Sequence, residues 1–440
     1  MPQTGTTTIS SEAIELQSRT ASASASSSPA VLQLAPPADS VPDGGYGWVV
    51  VLGCAVLTWL FAGSSYSWGI IQAALVKDGL SSSSTLSFVG STTVACISGL
   101  ALVNARIVRF LGARKMALLG VFFLGMGQVF SGFATENVGA LFVTSGAITG
   151  IGTSLCFMVV SITPAQYFSK RRGLANGIVY AGGGLGGAVT SFAMNGLIES
   201  LGPAWTFKIF GVITLAAGLP AAWVIKERKT IRTTAFIEWS LFRDTRFITL
   251  FFAGAIGTFP LFVPPFFLPL YSNSLSLSAG TAAALLAAFN FSSALGRLGC
   301  GFASDVIGPV NVLFLALLLS AISMLALWPV STTLAPLVVF AVINGAANGG
   351  FFATMPTVVG AVFGAARVSV AMGMIVTGWV GGYLMGAPIA GYLLNAYGGP
   401  ESTLSAYHPA MFYAGSMAMG SAGLVSLLRL KTSTGLFSKV

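Results

Sequence analysis

Long uncharged runs rich in apolar residues alternate with short clusters of charged residues along the chain. Since a helix needs about 20 apolar residues to cross a hydrocarbon core of about 30 Å, these runs divide into twelve membrane-spanning helices. The pattern predicts an all-α membrane protein with two six-helix halves. The uncharged runs lie between Asp43 and Lys77, Asp78 and Arg106, Lys115 and Glu136, Glu136 and Lys170, Arg172 and Glu199, Lys208 and Lys226, Arg246 and Arg297, Asp305 and Arg367, Arg367 and Glu401, and Glu401 and Arg429.

Five regions follow from this division. Residues 1–42, rich in Ser, Thr, Ala and Pro, lack the large apolar groups of a folded domain and are expected to form a disordered cytoplasmic tail. Residues 43–225 form the first half, 226–246 a polar cytoplasmic connector, and 247–430 the second half. Residues 431–440 form a second cytoplasmic tail.

Composition supports the membrane class and excludes several others. Of the 440 residues, 55% are hydrophobic and only 8% are charged, and the mean hydropathy is +0.84. A soluble protein is therefore excluded, and the lipid bilayer is the expected partner. The sequence contains no nucleophile with a base, no metal-ligand cluster and no phosphate loop, so we predict no enzyme, no metal site and no cofactor.

Basic residues favour one side of the predicted bundle. With the N-terminus inside, the outer loops receive only Lys77 and Lys208, while the other lysines and arginines gather on inner loops and tails. Because Lys and Arg concentrate on cytoplasmic loops, both termini are predicted to be cytoplasmic. The net charge of +9 is then an orientation signal, and nucleic acid is not a predicted partner. The plasma membrane is the expected location, and the sequence identifies no accessory protein.

The two halves resemble each other. A shift of 195 residues places Gly150 over Gly345 and Phe157 over Phe352, and a shift of 196 superimposes the loop after helix 2 on the loop after helix 8. A parallel repeat of six spans is the architecture of the major facilitator superfamily, in which the substrate site lies between the halves near the midplane.

Arg297 is the one charge expected deep in the membrane. It lies eight residues from Asp305 at the inner end of helix 8, or about 12 Å along the helix. An arginine near the bilayer centre costs about 3 kcal/mol on insertion scales, a cost that usually marks function. Ser293 and Asn290 share its helical face, so we predict a cationic anion contact flanked by neutral polar groups. The alternative is an arginine that bonds backbone carbonyls.

Further polar residues are candidate cavity walls. Asn344 and Asn348 form an i, i+4 pair on helix 10, and Tyr66 lies in a polar segment of helix 1. Interhelical hydrogen bonds that hold the bundle together are the alternative role. Four prolines between 260 and 269 should break helix 7. Each of the twelve acidic residues lies in a tail, a loop or a helix end, so no buried carboxylate is available to carry protons.

Two motifs resemble the monocarboxylate transporter family of the major facilitator superfamily. One is DGGYGW at the entrance to helix 1, and the other is YFSKRRGLANG after helix 4. The Ser/Thr-rich tail and the run GRLGCGFASD are more similar to the fungal branch of that family. The resemblance implies alternating access, a helix 8 arginine at Arg297 that engages the substrate, and motif or gating roles for Asp43, Gly44, Gly45, Tyr46, Trp48, Tyr167, Lys170, Arg171, Arg172, Asn176 and Asp305.

The chain also departs from the family pattern. The family's helix 1 lysine falls on Ile70, the acidic residue one turn before the helix 8 arginine falls on Ser293, and Arg109 replaces a loop aspartate. These departures argue against lactate-type proton symport. We therefore expect a transporter of a small, monocarboxylate-like organic anion. The alternatives are an exporter of a fungal secondary metabolite, an importer of a vitamin-like solute, and a non-transporting membrane sensor or scaffold.

Overall fold

The helical body divides into twelve spans. The computed structural model describes Met1 and residues 44–168, 172–228, 238–363, 368–400 and 402–432. The spans, numbered along the chain, are Tyr46–Tyr66 with Trp68–Lys77 (span 1), Ser83–Gly99 with Ala101–Val108 (span 2), Phe110–Ser131 (span 3), Val138–Ile162 (span 4), the two parts of Arg172–Trp223 (spans 5 and 6), Thr245–Gly257 with Val263–Ser274 (span 7), Ala279–Ile307 (span 8), Pro309–Leu327 (span 9), Leu334–Phe363 (span 10), Val368–Gly378 with Val380–Ala396 (span 11), and Leu404–Lys431 (span 12).

Three interrupted segments complete the count of twelve spans. In the described part of the chain, nine helices are each long and apolar enough to cross a membrane. One of them, the 50-residue helix Leu174–Trp223, contains Gly202 in a non-helical conformation (φ 79°) and makes two spans. The bent pair of span 2 and the broken span 7 supply the others. The predicted fold class is thereby confirmed.

Parts of the predicted five-region division lie outside the described residues. These parts are residues 2–43, 169–171, 229–237, 364–367, 401 and 433–440. The boundaries of the five regions stay predictions.

Left-handed glycines mark the same turns in both halves. Gly112, close to the start of span 3, has a φ of 76°, and Gly308 between spans 8 and 9 has a φ of 93°. Gly202 between spans 5 and 6 and Gly398 between spans 11 and 12 have φ values of 79° and 115°. Both pairs lie 196 positions apart, which is the shift that the sequence repeat indicates. Because side chains rarely adopt these angles, both halves require glycine at their equivalent turns.

Span 5 packs closely against one neighbour in each half. A Cβ at Gly182 would lie 2.5 Å from the carbonyl oxygen of Ala55 in span 1, and a Cβ at Gly184 would lie 2.8 Å from the Cβ of Ala294 in span 8. Small residues let helix backbones approach in lipid, where no hydrophobic force drives them together. The glycine-rich run of span 5 therefore places span 8, and with it Arg297, against the first half.

The two halves also meet at the end of the bundle opposite the connector. Asn395 in span 11 accepts a hydrogen bond from Ser83 Oγ at 3.2 Å and donates one to Ser84 Oγ at 3.1 Å. Gly69 of span 1, eight residues before the end of that span, lies so close to the carbonyl of Pro265 in span 7 that a Cβ would lie 2.2 Å from its oxygen. The hydrogen bonds of Asn395 therefore close the bundle at its end, and the contact at Gly69 holds the halves together further in.

Candidate functional site

Arg297 is buried between the two halves. Its side chain projects from span 8, and the residue is 2% exposed. The Nη1 atom donates a 2.6 Å hydrogen bond to the backbone oxygen of Tyr180 in span 5. The Nη2 atom donates a 2.8 Å hydrogen bond to the hydroxyl of Tyr66 in span 1. Both acceptors belong to the first half, so the guanidinium joins the two halves.

The charge of this guanidinium is not neutralised by its partners. Both acceptors are neutral oxygen atoms, and the Nε atom has no hydrogen-bond partner. The rings of Tyr66 and Phe352 lie 5.4 and 5.2 Å from its Cζ atom and add cation–π attraction. No carboxylate of the described residues pairs with it. A buried cation with neutral partners and a free donor is well arranged to receive an anionic group.

A small, mostly aromatic cavity surrounds Arg297. Its volume is about 40 Å³, and side chains of both halves line it, Tyr66 and Tyr180 from the first and Phe262, Phe352 and Tyr383 from the second. Since one water molecule needs roughly 10–15 Å³, the cavity holds about three. This space suits the head group of a ligand, and a larger body requires the halves to separate.

Asn290 and Ser293 lie on the buried side of span 8, outside the cavity lining. The Asn290 amide packs against Gly187 of span 5, where a Cβ would lie 2.8 Å from its Cγ. Both of its amide atoms and the Ser293 hydroxyl lack hydrogen-bond partners. Buried polar atoms without partners are costly, which favours a state of the protein in which they become solvated or bound. Their substrate-binding role stays a prediction.

Asn344 and Asn348 act as interhelical braces in this structure. Asn344 donates a 2.7 Å hydrogen bond to Ser323 Oγ in span 9. Asn348 donates a 2.8 Å hydrogen bond to the backbone oxygen of Leu261 at the break in span 7. That oxygen loses its helical donor because Pro265, four residues on, has no N–H. Neither asparagine lines the cavity around Arg297, so both positions match the alternative role in the bundle.

The signature motifs converge on the start of the connector. The Tyr46 hydroxyl donates a 2.7 Å hydrogen bond to the backbone oxygen of Val224, and the Tyr167 hydroxyl donates one of 3.0 Å to that of Lys226. Burial raises the pKa of Tyr167 above its ordinary value, so its hydroxyl stays protonated and able to donate. The Trp48 ring lies 4.7 Å from that of Phe168. These residues tie span 1, the end of span 4 and the exit of span 6 together within the first half.

The other motif residues are described less completely. Gly45 precedes span 1 with a φ of 60° and makes no side-chain cap. Asn176 is half-buried, and Asp305 is exposed at the connector end of span 8. Gly44 precedes Gly45, and Arg172 begins the helix of span 5. Asp43, Lys170 and Arg171 lie outside the described residues.

A second cavity of about 30 Å³ lies within the first half. Ser64, Ser65, Gln128 and Thr149 supply much of its polar lining, and no charged residue takes part. The Gln128 side-chain oxygen accepts a 2.9 Å hydrogen bond from Thr214. This cavity has hydroxyl and amide groups among apolar residues but offers no charged group that would fix a charged substrate.

Several residues of the site have no clear signal in the sequence. Tyr180 contributes its backbone oxygen, and any residue type provides that atom. Phe262, Phe352 and Tyr383 are three of many aromatic residues in a membrane protein, and their positions beside Arg297 arise only on folding. Asn395 is one of several polar residues near a span end, so its position in the sequence does not mark it as a contact between the halves.

The sequence matches a known family over most of its length. Residues 51–278 and 250–436 match the family described as Major Facilitator Superfamily. The chain is 31% identical to an aspyridones efflux protein of Emericella nidulans, over 88% of this chain and 80% of that protein. It is also 29% identical to Monocarboxylate transporter 4 of Gallus gallus, over 80% of this chain and 78% of that protein.

Solved structures share the fold. The crystal structure of the nucleoside transporter NupG matches with a TM-score of 0.69 and 14% identity, over 86% of this chain and 99% of that chain. A bacterial homologue of the human lysosomal transporter Spinster, in an inward-facing and occupied conformation, matches with a TM-score of 0.68 and 17% identity, over 88% of this chain and 98% of that chain.

Proposed function

Because the chain belongs to the Major Facilitator Superfamily and is a multi-pass membrane transporter of a small molecule, we propose that its substrate is an organic anion held by Arg297. Transport takes place by alternating access of the two halves to the two sides of the membrane. The observation that carries the proposal is the buried guanidinium, which has neutral partners and a free Nε atom.

The hydrogen bonds of Arg297 suggest how binding couples to movement. Both bonds cross from the second half to the first, to Tyr66 and to the Tyr180 backbone. A carboxylate has two oxygen atoms that match the guanidinium and forms stronger, charge-assisted bonds than neutral acceptors do. The arriving anion therefore competes for the atoms that hold the halves together. Release of these contacts allows the halves to rotate about the site.

The proposal includes an orientation and a coupling mode. The connector and both termini face the cytoplasm, as the distribution of basic residues favours, and the plasma membrane is the proposed location. The described carboxylates are exposed or half-buried near span ends. Transport is therefore independent of a proton carried by a buried acid.

Export of a metabolite is the second candidate. It is favoured by the 31% identity to an efflux protein, although Monocarboxylate transporter 4 is a relative of similar identity. Both candidates use the same anion contact and differ in the substrate's size and direction of movement. Uptake of a vitamin-like solute has no observation that favours it.

The test is Arg297→Gln, which keeps a neutral donor and removes the charge. Purified protein is reconstituted in liposomes loaded with unlabelled carboxylates, and exchange of the labelled anion is measured. We expect exchange to fall at least tenfold while the yield of folded protein persists. Arg246→Gln is the matched control, because Arg246 is exposed and pairs with Asp244 at the start of span 7. Wild-type exchange by Arg297→Gln would remove the anion-contact proposal.

A further inference from the structure

The cavity beside Arg297 has aromatic walls. Seven of its thirteen lining residues are aromatic, four from the first half and three from the second. Tyr66 stacks on Phe262 with ring centroids 5.4 Å apart and planes 12° apart. Phe262 meets Tyr383 edge to face at 5.7 Å, and Tyr66 meets Phe352 edge to face at 6.4 Å. These rings form a continuous aromatic surface across the junction of the halves.

Three other polar groups of the lining are already engaged, whereas the Tyr383 hydroxyl makes no hydrogen bond to the described residues. The Thr58 hydroxyl donates to the backbone oxygen of Cys54 at 2.8 Å, and the Ser65 hydroxyl donates to that of Phe61 at 2.8 Å. The Tyr180 hydroxyl pairs with Ser161 at 3.2 Å. Polar recognition is therefore limited to the guanidinium and the Tyr383 hydroxyl, and the rest of the lining is apolar or already hydrogen-bonded.

The geometry points to an aromatic organic acid as the substrate class, in which one carboxylate is carried on a flat ring system. This inference rests on the proposed function, since it names the body of the anion that Arg297 binds. Aromatic rings prefer aromatic partners in stacked and edge-to-face arrangements, by roughly 2- to 12-fold for each pair beyond the area buried. A ligand ring that enters between Tyr66 and Phe262 replaces a contact between the halves with two contacts of its own.

A set of ionised monocarboxylates tests this preference on the unaltered protein. The probes are acetate, cyclohexanecarboxylate, benzoate and 2-naphthoate, each supplied as a competitor of labelled benzoate exchange in proteoliposomes at neutral pH. Cyclohexanecarboxylate is close to benzoate in size but lacks the aromatic ring. We expect 2-naphthoate to compete best and cyclohexanecarboxylate to compete at least about fivefold more weakly than benzoate.

Phe352→Leu tests the aromatic wall directly. It removes one of the two rings that lie over the guanidinium and keeps an apolar side chain. We expect the half-saturating concentration of 2-naphthoate to rise about 3- to 10-fold, and that of cyclohexanecarboxylate to change little. The matched control is Phe351→Leu, since Phe351 is the neighbouring residue in span 10 but is buried against Trp379 and does not line the cavity.

The outcomes distinguish failure of the aromatic substrate class from failure of the proposed anion transport. Equal competition by cyclohexanecarboxylate and benzoate, or an equal shift of both in Phe352→Leu, overturns the aromatic class. If exchange of those acids still requires Arg297, the anion-transport proposal survives that result. If no carboxylate exchanges at all, while the protein is folded and reconstituted, both the proposed function and this inference fall.

Discussion

Replacing Tyr66 by phenylalanine tests whether the substrate competes with a bond between the halves. The change removes the hydroxyl that accepts the 2.8 Å hydrogen bond from Arg297 and leaves the ring free to stack on Phe262. A hydrogen bond to a charged group contributes about 1.5–3 kcal/mol, and cavity water recovers part of it. We therefore expect the substrate-free protein to lose about 1–2 kcal/mol.

This loss should appear as tighter anion binding. In the bound state the carboxylate takes the place of the Tyr66 hydroxyl as the acceptor from Arg297. Tyr66→Phe therefore lowers the stability of the bound state less than that of the substrate-free state. A difference of about 1–2 kcal/mol corresponds to roughly 5- to 30-fold tighter binding. The assay is thermal unfolding of the purified protein over a range of benzoate concentrations. The midpoint without benzoate should fall, and the stabilisation by benzoate should increase.

Tyr180→Phe is the matched control for this prediction. It removes a hydroxyl that pairs with Ser161 but leaves the Tyr180 backbone oxygen that accepts from Arg297. Its anion affinity should therefore stay near that of the wild type. If Tyr66→Phe instead binds benzoate more weakly than the wild type, the hydroxyl contacts the anion directly and the competition argument is refuted.

Four other perturbations follow from the structure. Asn395→Ala removes two hydrogen bonds between the halves at the closed end of the bundle and should destabilise that closure by about 1–2 kcal/mol. A cysteine introduced at this end should then react faster with maleimide, and an unchanged labelling rate contradicts the prediction. Gly184→Ala should cost about 1–3 kcal/mol by thermal unfolding, because its Cβ would crowd span 8, whereas Gly196→Ala, with nothing within 4 Å of the added Cβ, should be neutral. Hydrogen bonds from Arg246 hold the pKa of the Asp244 carboxyl below its ordinary value of 3.8. The stability that the ionised carboxylate adds is present above pH 3.8 and is lost as the pH falls through the lowered pKa. Asp244→Asn should therefore lower the unfolding temperature at neutral pH and match the wild type in acid. Initial transport at fixed substrate ionisation should respond weakly to an imposed proton gradient, and strong acid-driven accumulation would show that a proton-carrying group exists.

Local features of the chain predicted the spans and their interruptions well. Uncharged runs long enough to cross a bilayer gave the twelve spans, because the cost of burying charge in lipid acts on each segment separately. The four prolines between 260 and 269 predicted the break in span 7, which lies between Gly257 and Val263, whereas Pro269 lies inside the helix that follows. The glycine at each equivalent turn agreed with the sequence repeat.

Roles that depend on partners were harder to predict. Asn344 and Asn348 were interpreted as cavity walls or as interhelical contacts, because polar side chains in lipid-spanning helices require partners. The structure places them against Ser323 and the Leu261 carbonyl, and their substrate-binding role stays a prediction. The same requirement is met by a substrate, by another helix or by a backbone atom freed by proline. Residue type alone does not distinguish these partners.

The sequence by itself determined that this protein crosses a membrane twelve times and carries one deeply buried charge at Arg297. Both conclusions follow from hydropathy and charge, which are properties of each residue and its near neighbours. Only the tertiary structure decided what surrounds that charge. Its acceptors lie 117 and 231 residues away along the chain, and their distances are set by glycine contacts between helices of different halves. Packing over such separations depends on the shapes of both surfaces at once, which a one-dimensional pattern does not contain.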